Sequence, residues 1–126
     1  MTKRVRIVSR IFLVLYLIVV FALCFMNLSS MPDIGPTLFG IEIDKIAHFL
    51  MFLPLPALFY FSFDGKLAAV VGASVLAGLS LAGTTEWIQS FLTYRSMDLA
   101  DFIADTIGLL CGEVLVGIAA IAFKKR

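Results

Sequence analysis

The feature that most constrains this chain is a run of 18 residues, 11–28, that contains no Asp, Glu, Lys, Arg or His. A helix needs about 20 mostly apolar residues to cross the hydrocarbon core of a bilayer. Three more predominantly apolar segments follow. Hydrophobic residues reach 61% of the chain and charged residues only 15%, against about 45–50% and 25% in a typical globular domain. The sequence therefore predicts an integral membrane protein.

Turn and breaker residues divide the apolar segments into helices. Residues 29–43 carry Pro and Gly and are predicted to form a loop along the membrane surface, and residues 64–66 form a tight polar turn. Pro54 and Pro56 each remove a backbone hydrogen bond, so a kink or a break is expected within the second helix. The predicted fold class is all-α, an integral membrane four-helix bundle in one domain covering 1–126. Its helices are expected at about 7–28, 44–63, 67–92 and 98–123.

The basic residues predict the orientation of the bundle. Four spans put both termini on one side of the membrane, and the turn at Lys66 lies on that side too. Eight of the ten Lys and Arg residues then share it, and only Lys45 and Arg95 lie opposite. The positive-inside rule makes the termini cytoplasmic. The first helix is predicted to be uncleaved, because no small-residue cleavage site closes it. We interpret the basic ends as topology signals and expect no nucleic-acid binding.

Four of the nine carboxylates lie between residues 86 and 105, at the predicted extracytoplasmic end. With a rise of about 1.5 Å per residue, Glu86, Asp105 and His48 lie about 9, 10 and 6 Å below the outer ends of their helices. Three helices thus bring an ionisable group to similar depth. On the fourth helix the spacing of 3 and 4 residues makes one stripe. Because a carboxylate facing lipid costs about 2.5–3.5 kcal/mol, the stripe should face the interior; it contains Asp98, Asp101, Asp105, Gly108 and Gly112.

These residues resemble a known family. Asp44-Lys45-x-x-His48 opens the second helix and Glu86-x-x-Gln89 closes the third, followed by Arg95, Asp101, a polar residue at 105, Gly108 and Gly112. This order and spacing, over 44–112, are similar to the VanZ-like family. The family usually has Asn where this chain has Asp105. The resemblance implies a small multi-pass protein of the bacterial inner membrane. It also suggests a link to the glycopeptide teicoplanin, since the name-giving member is associated with modest resistance to it.

We expect the polar residues to form a site facing the extracytoplasmic side that binds a lipid or a cell-envelope head group, such as that of a lipid-linked envelope precursor. Lys45 and Arg95 would contact phosphate, and the other members hydroxyls or amines. Membrane lipids are the expected partners, and a homo-oligomer through Gly108 and Gly112 is a further possibility. The predicted ligand-binding residues are Asp44, Lys45, His48, Glu86, Gln89, Arg95, Asp98, Asp101 and Asp105.

Three alternatives stay open. The polar residues could form a structural ion-pair network that fixes helix register. The protein could be an enzyme acting on an envelope lipid, with His48, oriented by Asp44 or Glu86, as general base and Glu86 as acid–base partner. In that alternative a divalent cation held by His48, Asp98, Asp101 and Asp105 would suit the chemistry, although no cofactor or metal site is assigned.

A transporter is the third alternative, and the small number of helices and the lack of a visible inverted repeat argue against it. Glu113 is the one deep carboxylate, expected to reach the membrane interface or to pair with Lys66. An open pocket around His48, Glu86, Arg95 and Asp101 would favour binding or catalysis. Direct bonds between these residues would favour the structural network.

Overall fold

The computed structural model describes residues 1–25, 37–38, 40–93 and 98–124. Apart from one short bridge, its regular secondary structure is helical. The helices are α1 (Lys3–Phe25), α2 (Ile43–Phe52), α3 (Leu55–Ser62), α4 (Leu67–Gln89) and α5 (Leu99–Lys124). The two-residue strands β1 (Thr37–Leu38) and β2 (Ile41–Glu42) pair antiparallel just before α2.

Four helical segments in the described part of the chain are long and apolar enough to cross a membrane. They are α1, α2 with α3, α4, and α5. Large apolar side chains point outward along them; Leu76, Ile118 and Phe123, for example, are each more than 60% exposed. Exposing so much apolar surface to water is unfavourable, whereas the hydrocarbon core of a membrane covers it. The prediction of an all-α, multi-pass membrane protein is confirmed, and the side on which the termini lie stays a prediction.

The second span is broken, as the prolines predicted. Helix α2 ends at Phe52, and α3 begins at Leu55 after a turn over Leu53 and Pro54. The amide of Leu53 still bonds the Phe49 carbonyl at 3.1 Å. Pro54 and Pro56 cannot donate to the preceding turn, which interrupts the bonding pattern of a continuous helix. Helix α2 packs on α5, whereas α3 also packs against α1 and α4.

Two glycines of α5 allow its close contact with the second span. Gly108 lies against the backbone of Phe49, and a Cβ atom there would overlap the Phe49 carbonyl oxygen. Gly112 lies against the carbonyl of Leu53 and the ring of Pro56 in the same way. Both glycines are buried with Asp101 and Asp105, so these four residues of the stripe face the interior, as their spacing indicated. Asp98, just before the helix, is half exposed. The chain's own second span covers the two glycines.

Helix ends differ slightly from those expected. Helix α1 already begins at Lys3 rather than near residue 7, because Lys and Arg are good helix formers and extend it into the basic segment. Helix α4 ends at Gln89, and the chain continues to Leu92 in tighter turns, with the Phe91 amide 3.0 Å from the Ile88 carbonyl. Such tightened turns are common at helix termini.

At the end of the bundle where α1 begins, side-chain contacts join α1 to the turn between α3 and α4. Arg6 pairs with Asp64. Arg10 donates from Nε to the Ser62 carbonyl at 2.9 Å, and its guanidinium lies 5.6 Å from the centre of the Phe63 ring. The start of α1 and the turn that contains Lys66 therefore lie at the same end of the molecule.

Candidate functional site

The N-terminal ends of α2 and α5 and the C-terminal end of α4 meet at one end of the bundle. Seven of the predicted site residues lie there in contact through hydrogen bonds or ion pairs, and we call them the polar cluster. Its members are Asp44, Lys45 and His48 from α2, Glu86 from α4, Asp98 just before α5, and Asp101 and Asp105 from α5. The predicted phosphate contact Arg95 lies outside the described residues.

Lys45 is the cation at the centre of this cluster. Its Nζ atom lies 2.7 Å from Asp98 Oδ2 and 3.4 Å from Asp44 Oδ2, and it also donates to Asp101 Oδ1. Only 16% of the lysine side chain is exposed. One ammonium group is thus shared by three carboxylates, and it joins the start of α2 to the start of α5.

Asp98 has a second function as the cap of α5. Its Oδ1 accepts from the Ala100 amide at 2.9 Å, which satisfies one of the unpaired N–H groups in the first turn. The hydrogen bonds from the Lys45 ammonium and from the Ala100 amide hold the pKa of the Asp98 carboxyl below its ordinary value. The carboxylate therefore stays ionised at any physiological pH.

His48 lies deeper, with 3% of its side chain exposed. Its Nδ1 is 2.8 Å from Asp105 Oδ1, and its Nε2 is 3.5 Å from Asp101 Oδ2 and 3.9 Å from Asp44 Oδ1. An ionised carboxylate only accepts hydrogen bonds, so with Asp105 ionised and no ion bound, Nδ1–H is the donor of this short contact. The sequence suggested Asp44 or Glu86 as the residue that orients His48, and in the structure Asp105 takes this position.

Glu86 and Gln89 anchor the end of α4. Glu86 is almost fully buried, and its Oε2 accepts from the backbone amide of Asp98 at 3.1 Å. Gln89 donates from Nε2 to the carbonyl of Cys24 at 2.7 Å. This carbonyl belongs to the last turn of α1, where helix carbonyls have no partner within the helix. Gln89 is therefore bonded to α1 rather than to the aspartates.

Several buried oxygens have no hydrogen-bond partner among the described residues. Two belong to the polar cluster, Glu86 Oε1 and Asp105 Oδ2, and a third is Gln89 Oε1. The buried hydroxyl of Tyr16 on α1 also has no hydrogen-bond partner among the described residues. Tyr16 is close enough to Asp105 for the two side chains to interact electrostatically. Nothing in the sequence singled out Tyr16, because a lone Tyr in an apolar run is typical of a core residue. The cluster has more acceptors than the described donors satisfy.

The described members of the cluster contact one another directly, so they form a bonded network with an exposed rim. His48, Glu86, Asp101 and Asp105 are buried, whereas the side chains of Asp44 and Asp98 are 50% and 44% exposed. A cavity of about 660 Å³ lies at the other end of the bundle, between Val5, Tyr60 and Val116. It is apolar and far from the predicted site.

The other deep carboxylate, Glu113, lies apart from the cluster. It accepts a hydrogen bond from the Ser74 hydroxyl, which joins α5 to α4. The sequence suggested an interfacial position or a pair with Lys66. Ser74 is its partner because this face of α4 carries small residues that let the two helices approach closely.

Comparison with known proteins agrees with the resemblance. The family model described as VanZ/LLP1 matches residues 12–120. An uncharacterized protein of the fission yeast Schizosaccharomyces pombe is 38% identical over 66 residues, which are 52% of this chain and 41% of that protein. The chain thus matches less than half of the length of this relative. No solved structure matches the chain significantly.

Proposed function

The chain belongs to the VanZ/LLP1 family, and we propose that its polar cluster binds the polar head group of an envelope lipid at the extracytoplasmic face of the bacterial inner membrane. Family membership and the four apolar helices support a membrane location. The distribution of charge supports the orientation. Six of the seven basic residues that the structure describes lie at the end opposite the cluster, which the positive-inside rule assigns to the cytoplasm.

One observation carries the proposal: three aspartates share the single ammonium group of Lys45, and two of the three are half exposed. Within the described part of the chain, Asp44 and Asp98 are therefore incompletely neutralised at the rim of the cluster. A second cationic group or several hydroxyls can bind there with charge-assisted hydrogen bonds. We infer that the head group carries an amine or hydroxyls, and that its phosphate is left to Arg95.

Lipid that co-purifies with the protein tests this proposal. The full chain is extracted in a mild detergent, and the bound lipid is identified and counted by native mass spectrometry. We expect an amine-bearing phospholipid such as phosphatidylethanolamine on the wild type, and about tenfold lower occupancy in the double variant Asp44→Asn/Asp98→Asn, since each lost charge-assisted bond is worth about 1.5–3 kcal/mol when unscreened and less at this exposed rim.

The matched control is Asp64→Asn, because Asp64 is an exposed aspartate at the other end of the bundle. It should leave lipid occupancy unchanged. Equal occupancy in the wild type and the double variant would exclude the rim as a head-group site. A loss as large in Asp64→Asn would mean that any missing carboxylate weakens lipid retention.

The bonded network favours the structural alternative, in which the cluster only fixes helix register. His48, Asp101 and Asp105 are buried and linked to one another. If that alternative holds, Asp44→Asn/Asp98→Asn lowers thermal stability and leaves lipid occupancy at the wild-type value.

Catalysis on an envelope lipid is supported by the bond between His48 and Asp105, since a carboxylate on Nδ1 is the usual way to orient a general base. Incubation of the protein with labelled envelope lipids tests it, and release of any labelled product would favour the enzyme.

Self-association also stays a proposal. Because Gly108 and Gly112 are covered by the second span, a dimer would form through other faces.

A further inference from the structure

We propose that His48, Glu86 and Asp105 together bind a divalent cation in the interior of the polar cluster. The three residues come from α2, α4 and α5, and one ligand atom from each lies within 4.8 Å of the other two. This inference goes beyond head-group binding and does not depend on it, since an ion held by these residues would be present with or without a lipid.

The burial and bonding of the carboxylates point to an ion. The side chains of Glu86 and Asp105 are almost completely buried, and Glu86 Oε1 and Asp105 Oδ2 have no hydrogen-bond partner in the described part of the chain. A buried carboxylate oxygen without a donor is strongly unfavourable. The nearest ammonium group, on Lys45, bonds the aspartates nearer the rim. A divalent ion would satisfy both oxygens at once.

Charge and geometry fit the same assignment. Two carboxylates and one neutral imidazole carry two negative charges, which a divalent ion balances. Metal–ligand distances of about 2.0–2.2 Å place neighbouring ligand atoms roughly 3.3 Å apart, so side-chain adjustments of about 1 Å bring the three ligand atoms onto one ion. The three helices already place their side chains around one point.

His48 is held as metal-binding histidines usually are. A carboxylate faces each ring nitrogen, with Asp105 2.8 Å from Nδ1 and Asp101 3.5 Å from Nε2. Because Asp105 is a fellow ligand, the ion would take Nδ1 in place of its proton, and Nε2 would keep its proton and face Asp101. This arrangement sets both the tautomer and the direction of the ring.

The ligand set selects the kind of ion. One imidazole nitrogen with two carboxylate oxygens suits Zn²⁺ or Mn²⁺. Ca²⁺ takes six to eight oxygen ligands and is disfavoured by a nitrogen donor. A second possible set, Asp44, His48 and Asp101, shares the histidine. Its two aspartates already accept from Lys45, so we assign the ion to Glu86 and Asp105.

Metal analysis of the full chain in detergent tests the assignment. The protein is stripped with EDTA, reloaded with Zn²⁺ or Mn²⁺, desalted and measured by inductively coupled plasma mass spectrometry. We expect one ion per chain and a rise in Tm of about 5–10 °C at roughly 100 times Kd. Glu86→Gln and Asp105→Asn should weaken binding at least about tenfold, whereas Asp64→Asn, at the other end of the bundle, should bind like the wild type.

The possible outcomes separate clearly. Wild-type protein that retains no ion and shows no rise in Tm would overturn the proposal. Loss of the ion in Asp44→Asn with retention in Glu86→Gln would also overturn it, in favour of the neighbouring set. If the Glu86 and Asp105 variants do not fold, the wild type loaded with Co²⁺ decides: visible bands of a nitrogen- and oxygen-bound ion support the site, and their absence excludes it.

Discussion

At the scale of single residues, the described part of the polar cluster has more carboxylates than cationic side chains. Lys45 is bonded by Asp44, Asp98 and Asp101, and His48 is bonded by Asp105. Lys45 and His48 therefore each join one span to another, and among the described residues the rim aspartates keep capacity for a further positive group. Among the described hydrogen bonds, Glu86 bonds the backbone amide of Asp98 and no cationic side chain.

Glu86 should matter for function more than for folding. Glu86→Gln keeps the shape of the side chain and an acceptor for the Asp98 amide, but removes the buried charge. If this protein confers protection against teicoplanin on a sensitive host, we expect the substitution to abolish it. The measurement is the minimum inhibitory concentration of teicoplanin for cells producing each variant at equal levels in the membrane.

Glu113→Gln is the matched control for this experiment. It makes the same change at the other deep carboxylate, which is bonded to Ser74 and lies outside the polar cluster. It should leave protection intact. Full protection with Glu86→Gln would remove Glu86 from the functional site, and equal losses in both variants would indicate a general effect of buried charge.

At the scale of helices, the position of α5 against the second span depends on two glycines. Gly108 and Gly112 touch the backbone of Phe49 and Leu53, so α5 approaches α2 more closely than any side chain would allow. This approach places Asp101 and Asp105 beside Lys45 and His48. The break between α2 and α3 serves the same contact, since Pro56 packs on Gly112.

Alanine at two glycines of α5 should therefore have opposite effects. Gly108→Ala places a methyl group against the Phe49 carbonyl, and we expect a loss of roughly 1–3 kcal/mol of unfolding free energy, as for other overpacked sites. Gly117 lies on the same helix with nothing within 4 Å of a Cβ atom. Gly117→Ala should be neutral or stabilise by up to about 1 kcal/mol, because alanine is the better helix former.

Thermal unfolding in one detergent, followed by circular dichroism, measures both variants. The close helix contact also predicts that Gly108→Ala weakens the bond between Lys45 and Asp101. Equal Tm values for the two variants would show that α5 can move away from α2 at little cost.

At the scale of the whole molecule, the two ends of the bundle differ in chemistry. One end carries the polar cluster. The other carries most of the described basic residues, the ion pair of Arg6 with Asp64, and an apolar cavity. A membrane protein with this asymmetry should have a single orientation, set by the basic end.

Cysteine labelling in intact cells tests the orientation. In a background without Cys24 and Cys111, Ser90→Cys places a thiol at an exposed position at the cluster end, and Lys66→Cys places one in the opposite turn. We expect a membrane-impermeant maleimide to label the thiol at position 90 in whole cells. It should label the thiol at 66 only after the membrane is opened. The reverse pattern would place the polar cluster in the cytoplasm.

The sequence by itself predicted the four apolar spans, the break at Pro54 and Pro56, and the common depth and facing of the polar residues. These features follow from the length needed to cross a bilayer and from the 3.6-residue period of a helix, both of which act within one segment. The family resemblance rested on the same residues, and the match over 12–120 confirms it.

Only the tertiary structure decided which polar groups bond to which. His48 pairs with Asp105, Gln89 with the carbonyl of Cys24, and Glu113 with Ser74. Partner choice between helices depends on how closely their backbones approach and on how each is rotated. Small residues and the broken second span set those distances. The helical period of a sequence segment shows which of its residues share a face, but it does not show how far that face lies from another helix.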